Sequence, residues 1–262
     1  MCILDWKNHT VIVCVTEGME KMYSFESRIR YSETDSDGNL SLEGLLDYFQ
    51  DCSTFHSEDL GVGVEYLREN KMIWVLSSWQ IEVERFPALA ERVNIGTFPY
   101  EFKGCFGYRN FFLTDENGEY LAKANTMWTL LDTERFRPVH PNELMLEKYV
   151  LEEKLDMDYA GRKIMLPKES AEQEPITVRK QHLDTNHHVN NVQYVRMAKA
   201  FLPEEFPIVK MRAEYKKQAL LGDVLMPYVA CTKEDGQEKW TVSLQDAQRG
   251  IFVNVEFEGK CK

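Results

Sequence analysis

The chain is short of positive charge. Its 262 residues include 31 lysines and arginines against 43 aspartates and glutamates, which gives a net charge of −12 and a pI near 5.1. General nucleic-acid binding needs a basic surface, so this balance argues against that class of function. An acidic total still permits a local basic patch that meets an acidic partner.

Paired cysteines and long apolar runs are also missing from the sequence. The six cysteines are scattered and none forms a Cys-x-x-Cys pair, so neither a zinc ribbon nor a disulfide framework is indicated. No stretch approaches the length of a membrane span. Because a reducing compartment keeps thiols unpaired, we expect a cytoplasmic protein. Because no apolar run is long enough, we expect no membrane insertion.

The sequence does contain an internal repeat. The stretch RYSETDSDGNLSLEGLLDYFQD begins at Arg30, and VRKQHLDTNHHVNNVQYVRMAKA begins at Val178. Both run from a short extended segment through a polar cluster into a helical pattern. The clusters align Asp35, Asp37 and Asn39 with Asp184, Asn186 and His188. Two further similar stretches, IEVERFPALAERV and AEYKKQALLGDVL, follow in the same order.

Each copy predicts one helix followed by four strands. Ser41 is the expected N-cap of the first helix, and Asn190 or Asn191 that of the second, which should stop near Pro203. Alternation and turn signals predict strands at Trp74–Phe86, Arg92–Phe102, Cys105–Thr114, Glu119–Leu131, Val209–Gln218, Val224–Cys231, Glu238–Gln245 and Ile251–Phe257. A helix and an antiparallel run in each copy make an α+β arrangement, with one long helix packed on a sheet per unit.

The repeat also divides the chain. We expect an N-terminal extension over residues 1–22, a first unit over residues 23–135, and a second unit over residues 176–262 that carries the histidine-rich loop. Residues 136–175 are rich in Glu, Lys and Pro, which predicts a charged linker with one helical piece.

The stretch LDTNHHVNN, residues 183–191, allows three interpretations. Asn and Asp shape turns and cap helices without any chemistry. A metal site would use His182, Asp184, His187 and His188, although adjacent histidines rarely point the same way. A catalytic loop would use one imidazole as a proton carrier near neutral pH. Asn186 and backbone N–H groups at the helix start would then polarise a carbonyl.

The repeat favours the catalytic interpretation. The first copy has Asn39 where the second has His188, and its own loop contains no histidine or cysteine. If both loops only capped helices, neither would need a histidine. A titrating group in one copy alone is what we expect when one half supplies chemistry and the other supplies shape.

The stretches LDTNHHVNNVQYV and MRAEYKKQALLGD closely resemble the signature of the acyl-acyl-carrier-protein (acyl-ACP) thioesterases of plant plastids and bacteria. That signature runs Asp-x-Asn-x-His-Val-Asn-Asn-x-x-Tyr and then Glu-Tyr-x-x-Glu-Cys. The resemblance covers nearly the whole chain. It implies a double hot-dog fold, hydrolysis of fatty acyl-ACP thioesters with release of free fatty acid, and a homodimer.

The resemblance carries over to individual site residues. Asp184, Asn186 and His188 match the family's active-site Asp, Asn and His, but Gln218 and Ala219 stand where the family has Glu and Cys. A glutamine orients a water or a carbonyl but cannot accept a proton at neutral pH. The base role therefore rests on His188, on Asp184 or on both, with Gln218 acting by hydrogen bonding alone.

Glu214 is the alternative carboxylate in this part of the sequence. It lies four residues before Gln218 on the same predicted strand, so the two side chains are expected on one face.

The resemblance further implies a partner, an acyl carrier protein whose phosphopantetheine arm delivers the thioester, and it implies no bound cofactor or metal. The carrier is acidic, so we expect it to meet a basic cluster: Arg162, Lys163, Lys168, Arg179, Lys180, Arg196 and Lys199. Candidate linings of the acyl groove are Leu45, Leu46, Phe49, Phe55, Trp74, Trp79, Phe111, Phe112 and Trp128. The alternative functions are an acyl-CoA thioesterase and a non-catalytic acyl-thioester-binding protein.

Overall fold

A computed structural model describes residues 22–234 and 236–260 of the chain. The extension expected over residues 1–22 lies outside the described residues except for its last one. Asp235 of the hairpin turn also lies outside them.

Helices and strands follow one another in an order that repeats. The first half contains β1 (Tyr23–Arg28), α1 (Leu42–Asp59), α2 (Val64–Glu69), β2 (Met72–Val83), β3 (Arg92–Lys103), β4 (Phe106–Asp115), β5 (Tyr120–Asp132) and β6 (Arg137–Pro138). Then come α3 (Glu143–Lys148), β7 (Ala171–Glu172) and β8 (Ile176–Thr177). The second half contains α4 (Asn191–Lys199), β9 (Ile208–Tyr215), β10 (Val224–Glu234), β11 (Gln237–Gln245) and β12 (Ile251–Lys260).

The long strands form one continuous antiparallel sheet. The order β1-β3-β4-β5-β2 of the first half continues into β9-β12-β11-β10 of the second. The halves join where β2 pairs with β9, from Ser78 opposite Glu214 to Glu82 opposite Lys210. The expected α+β class and double hot-dog arrangement are confirmed. One departure is the second helix: α4 has 9 residues against 18 in α1 and ends before Pro203.

Side-chain caps begin both main helices, as the sequence predicted. Ser41 Oγ accepts the N–H of Gly44 at 3.1 Å, and Asn190 Oδ1 accepts the N–H of Val192 at 2.8 Å. The buried face of α1 packs on the sheet, with Phe49 against both Trp79 and Phe111. Within the described ranges, no helix combines the length and apolarity needed to cross a membrane.

The strand β9 ends earlier than its apolar pattern predicts. It stops at Tyr215 rather than Gln218, because the carbonyl of Phe252 accepts the N–H groups of both Lys216 (2.9 Å) and Lys217 (3.2 Å). Two donors on one acceptor break the ladder. The strand β2 ends in the same way in the first copy.

The charged linker is packed onto the sheet rather than looped away from it. It contains the one expected helical piece, α3, and then crosses the sheet face opposite α1. The buried Asn110 Oδ1 accepts the N–H of Leu155 (3.1 Å) and the hydroxyl of Tyr159 (3.0 Å). Glu214 Oε2 accepts the N–H of Ile164 at 3.1 Å. Buried side chains of the sheet thus satisfy the backbone of the linker.

The packing of Phe49 gives a test of the core. Phe49→Ala should lower the free energy of unfolding by about 3–5 kcal/mol, because the site is fully buried and loses two aromatic contacts. Phe55→Ala is the matched control on the same helix. Its ring is 45 % exposed, so the loss should stay below about 1 kcal/mol. Urea denaturation measures both, and equal losses would contradict the described packing.

Candidate active site

The carboxylate of Asp184 organises the histidine-rich loop. Its Oδ1 accepts the N–H groups of Asn186 (2.8 Å) and His188 (3.2 Å), and the backbone N–H of Asp184 donates to the carbonyl of His188 at 2.8 Å. This is an Asx-type turn, in which a side chain replaces the next backbone acceptor. Of the two roles that the sequence allowed Asp184, these bonds support anchoring of the loop.

The loop of the first copy has the same hydrogen bonds. Asp35 Oδ1 accepts the N–H groups of Asp37 and Asn39, both at 3.0 Å, and the N–H of Asp35 donates to the carbonyl of Asn39 at 2.8 Å. The two loops that align in sequence therefore also share one backbone conformation. The chemical difference between the loops lies in the side chains that this frame presents.

One position of each loop has left-handed backbone. Gly38 has φ +79° in the first copy, and His187 has φ +62° at the equivalent position of the second. A residue with a Cβ is strained in this region, whereas glycine is not. The exposed His187 thus occupies a turn position that glycine fills in the other half.

The loop rests against the segment that follows β9. His188 forms an isolated β-bridge with Leu220, and the N–H of Val189 donates to the carbonyl of Ala219 at 3.0 Å. The N–H of Ala219 in turn donates to the hydroxyl of Tyr194 at 2.8 Å. Burial raises the pKa of Tyr194 to about 12, so its hydroxyl stays neutral and can accept this bond at physiological pH. His188 and Gln218 therefore lie on two segments that contact each other.

Gln218 and Glu214 do not share a strand face. Because β9 ends at Tyr215, Gln218 lies on the following loop with its side chain exposed, and the expectation of a common face is wrong. Glu214 is only 4 % exposed, and its Oε2 accepts the linker N–H of Ile164 and lies 3.4 Å from Lys216 Nζ. Its carboxylate is therefore already engaged in holding the linker.

A cavity of about 930 Å³ brings the predicted site residues together. Asp184, Asn186, His188 and Gln218 all line it. Glu214 of the second half lines it as well, and most of the remaining wall comes from the first half: the C-terminal part of α1, the beginning of β2, and parts of β4 and β5. The cavity therefore spans the junction between the two copies, with the histidine supplied by the second.

The predicted groove residues divide into lining and core. Trp74 and Trp128 line the cavity. Phe55 lines a separate depression. The remaining six are buried elsewhere, none more than 3 % exposed: Leu45, Leu46, Phe49, Trp79, Phe111 and Phe112. The expectation that Phe49 borders the groove is wrong, because α1 turns that face toward the sheet.

Several polar wall residues escaped the sequence analysis. On α1, Gln50, Ser53 and Ser57 recur at helical spacing and face the cavity. Arg109 on β4 and Tyr149 after α3 line it as well. The helical spacing of the first three was a readable signal in the sequence. Nothing in the sequence distinguishes Arg109 from a surface arginine.

The histidines of the loop are not arranged as a metal site. His182 Nδ1 accepts the N–H of Arg179 at 3.1 Å, where Glu33 accepts the N–H of Arg30 in the first copy. Burial and the adjacent Arg179 charge lower the pKa of His182. Across residues 22–234 and 236–260, no group of three or more histidine, cysteine or carboxylate side chains is placed to hold a metal ion.

The predicted basic cluster is partly neutralised. Lys199 Nζ lies 2.9 Å from Glu43 Oε2. Arg196 lines the second depression together with Asp47 and Asp51. Arg162 is exposed and lines the main cavity, so this member of the cluster borders the candidate site.

Both halves of the chain match models of one family. Residues 20–149 match the acyl-ACP thioesterase N-terminal domain, and residues 165–257 match the acyl-ACP thioesterase C-terminal domain. The chain is 28% identical to a chloroplastic acyl-[acyl-carrier-protein] hydrolase of Cuphea viscosissima over 272 residues, covering 94% of this chain. It spans 63% of the length of that protein.

Solved structures share the fold. An acyl-ACP thioesterase from Bacteroides thetaiotaomicron superposes with a TM-score of 0.80 at 20% identity, covering 91% of this chain and 97% of the other. The 12:0-ACP thioesterase from Umbellularia californica gives a TM-score of 0.82 at 18% identity, with 92% and 94% covered.

The left-handed loop position gives a matched pair of stability tests. His187→Gly should raise the free energy of unfolding by about 0.5–1 kcal/mol, because strain is relieved and only part of the gain is lost to a freer unfolded chain. Gly38→Ala should lower it by a similar amount. A Cβ at Gly38 meets nothing within 4 Å, so the cost there is backbone strain alone. Urea denaturation that gave the same sign for both would contradict the assignment.

Proposed function

The chain belongs to the acyl-ACP thioesterase family, and on that premise we propose that it hydrolyses fatty acyl thioesters of acyl carrier protein to free fatty acid. The observation that carries the proposal is the shared cavity. It joins the His188 loop to walls that include Trp74 and Trp128. A thioester needs both a proton carrier beside its carbonyl and an apolar enclosure for its chain.

His188 is the general base in this proposal. It removes a proton from a water whose oxygen attacks the thioester carbon. The carbon–sulfur bond then breaks, and the protonated imidazole returns the proton to the departing thiolate. Asp184 acts as a positioning residue, because its Oδ1 is occupied by the N–H groups of Asn186 and His188.

Asn186 stabilises the oxyanion that forms on the thioester carbonyl. The exposed Asn186 amide has its side-chain N–H groups available at the cavity wall. The first-turn N–H of Val192 is less suitable, since Asn190 already accepts it. Loss of one oxyanion donor typically costs about 3–4 kcal/mol of transition-state stabilisation. Gln218 orients the water by hydrogen bonding.

The carrier protein is the proposed source of the substrate. Its acidic surface would meet Arg162 at the cavity wall, and its phosphopantetheine arm would bring the thioester to His188. We extend the proposal to a cytoplasmic location, because the scattered cysteines suit a reducing compartment. The homodimer that the resemblance implies stays a prediction.

Two other functions compete with this proposal. An acyl-CoA thioesterase would use the same residues, and its catalytic efficiency would be higher on CoA thioesters than on carrier-protein thioesters. A non-catalytic acyl-binding protein would bind acyl thioesters without releasing thiol. One assay of thiol release on both kinds of thioester separates the three.

The base assignment is tested by His188→Ala. We expect kcat on acyl-ACP to fall at least about 100-fold, the range of a lost general base. Asn39→Ala removes the side chain at the equivalent position of the first copy and should leave kcat unchanged. Free thiol is measured with a chain-length series of acyl-ACP substrates, and circular dichroism checks the fold. Full turnover by His188→Ala would remove His188 from the mechanism.

Gln218→Glu tests how the missing carboxylate matters. The side chain is exposed, so the substitution fits without repacking. We expect kcat to be kept or raised, because a carboxylate beside His188 stabilises the imidazolium that forms when the base takes a proton. Gln181→Glu makes the same chemical change on an exposed residue outside the cavity and serves as the control. A tenfold loss of kcat in Gln218→Glu alone would contradict the role given to this position.

The acyl groove is tested by replacing a large lining side chain with a small one. Trp74 already has the largest side chain, so the informative change is Trp74→Ala, which should shift the preferred acyl chain to greater length because the cavity gains room. Trp240→Ala, in β11 and outside the cavity, should leave the preference unchanged. Competition between acyl-ACP substrates of different length measures the shift. An unaltered preference in Trp74→Ala would show that the chain lies elsewhere.

A further inference from the structure

A buried arginine in the wall of the cavity has only neutral neighbours. Arg109 is 8 % exposed, and its Nη1 donates to His56 Nδ1 at 2.9 Å and to Thr97 Oγ1 at 3.2 Å. Its guanidinium lies 5.5 Å from the ring centre of Tyr149. Among residues 22–234 and 236–260, no carboxylate oxygen lies within 4.0 Å of it.

The neighbouring titratable groups do not supply a negative charge. Burial, together with the charge of Arg109, lowers the pKa of His56 to about 3, so its ring is neutral and accepts through Nδ1. Burial raises the pKa of Cys52 to about 12, which keeps that thiol protonated. The backbone N–H of Glu152 donates to Pro99, opposite Arg109 in the sheet, at 3.1 Å, but the Glu152 carboxylate makes no ion pair with the guanidinium.

An unpaired charge in such a place is costly for folding. A buried ion loses its hydration and recovers the cost only through an opposite charge or a full set of hydrogen bonds. Arg109 has five N–H donors, and the bonds to His56 and Thr97 use only its Nη1. Arg109 also lines the cavity, so a bound group there would be the source of partners for its remaining donors.

We propose that Arg109 selects acyl chains that carry a hydrogen-bond-accepting oxygen beyond the thioester, a hydroxyl, keto or carboxylate group in the distal part of the chain. The inference rests on the proposed function. Trp74 and Trp128 enclose the methylene groups, and the guanidinium completes its hydrogen bonds with the distal oxygen. A saturated hydrocarbon chain would cover Arg109 without satisfying it, and the site would discriminate against that chain.

The buried polar wall agrees with this assignment. Gln50 lines the cavity, and its buried Oε1 has no hydrogen-bond partner in the described part of the chain. Ser53 and Ser57 extend the polar face of α1 beside it. A cavity for a plain hydrocarbon gains nothing from these groups, since buried polar atoms without partners lower stability.

The experiment compares thioesters of equal chain length on the carrier protein, saturated, omega-hydroxy and omega-carboxy, at several lengths. We expect the unaltered protein to favour an oxygenated chain in kcat/KM by at least about tenfold. Arg109→Met, which keeps the length and removes the charge, should abolish this preference. Arg109→Lys should retain part of it, because the charge remains while the planar set of donors is lost. The order of the hydroxy and carboxy chains identifies which oxygen the site takes.

Glu152→Gln is the matched control. It should leave the preference unchanged, and loss of the preference in this variant would make Glu152 the true partner of Arg109 and overturn the proposal. A preference for the saturated chain that Arg109→Met does not alter would overturn it as well. The melting temperature of Arg109→Met should be equal to or above that of the unaltered protein, because a buried charge has been removed.

A binding measurement separates failure of this inference from failure of the proposed function. If no thioester is hydrolysed, isothermal calorimetry with a fatty acid and the dicarboxylic acid of equal length still tests Arg109. Tighter binding of the dicarboxylic acid by the unaltered protein, lost in Arg109→Met, supports the site without hydrolysis. Equal binding of both acids by both proteins rejects it.

Discussion

The pairing of β2 with β9 is the constraint on which the rest of the molecule depends. Five consecutive residue pairs, from Ser78–Glu214 to Glu82–Lys210, join the two copies into one sheet. Backbone hydrogen bonds fix this register, and a shift by one residue would reverse every side chain on the joining strands. Because the register is fixed, the segment after β9 lies toward the beginning of β2, and both line the cavity. The cavity is the space that this junction leaves open.

The two copies share a backbone frame and differ in what it presents. Asp35 and Asp184 fold their loops with the same pair of N–H groups. The frame is therefore a structural requirement of the fold, and an acid at this position carries no information about chemistry. The informative difference is Asn39 against His188, since an imidazole can carry a proton and an amide cannot. Divergence within the repeat marks the functional half better than the motif does alone.

The cavity combines apolar walls with polar groups that the fold leaves unsatisfied. Arg109 and Gln50 lie between the helix and the sheet, where apolar packing would give greater stability. Proteins retain such groups where binding or catalysis uses them, and the cost is met by the surrounding core. Under the proposed function, the first half thus contributes more than a scaffold, because its wall would set which acyl chains reach His188.

The sequence by itself determined the repeat, the fold class and both helix caps, whereas the grouping of Asp184, Asn186, His188 and Gln218 was implied by the resemblance to a known family. The first three follow from local patterns, because capping, alternation and Asx turns depend on residues close in the chain. The tertiary structure alone decided the end of β9, which a shared acceptor on β12 cuts short. It also decided which aromatic residues line the cavity and which are core, because that depends on how α1 rotates against the sheet. The unpaired charge of Arg109 could not be predicted from the sequence, because it depends on which side chains the fold brings near the guanidinium.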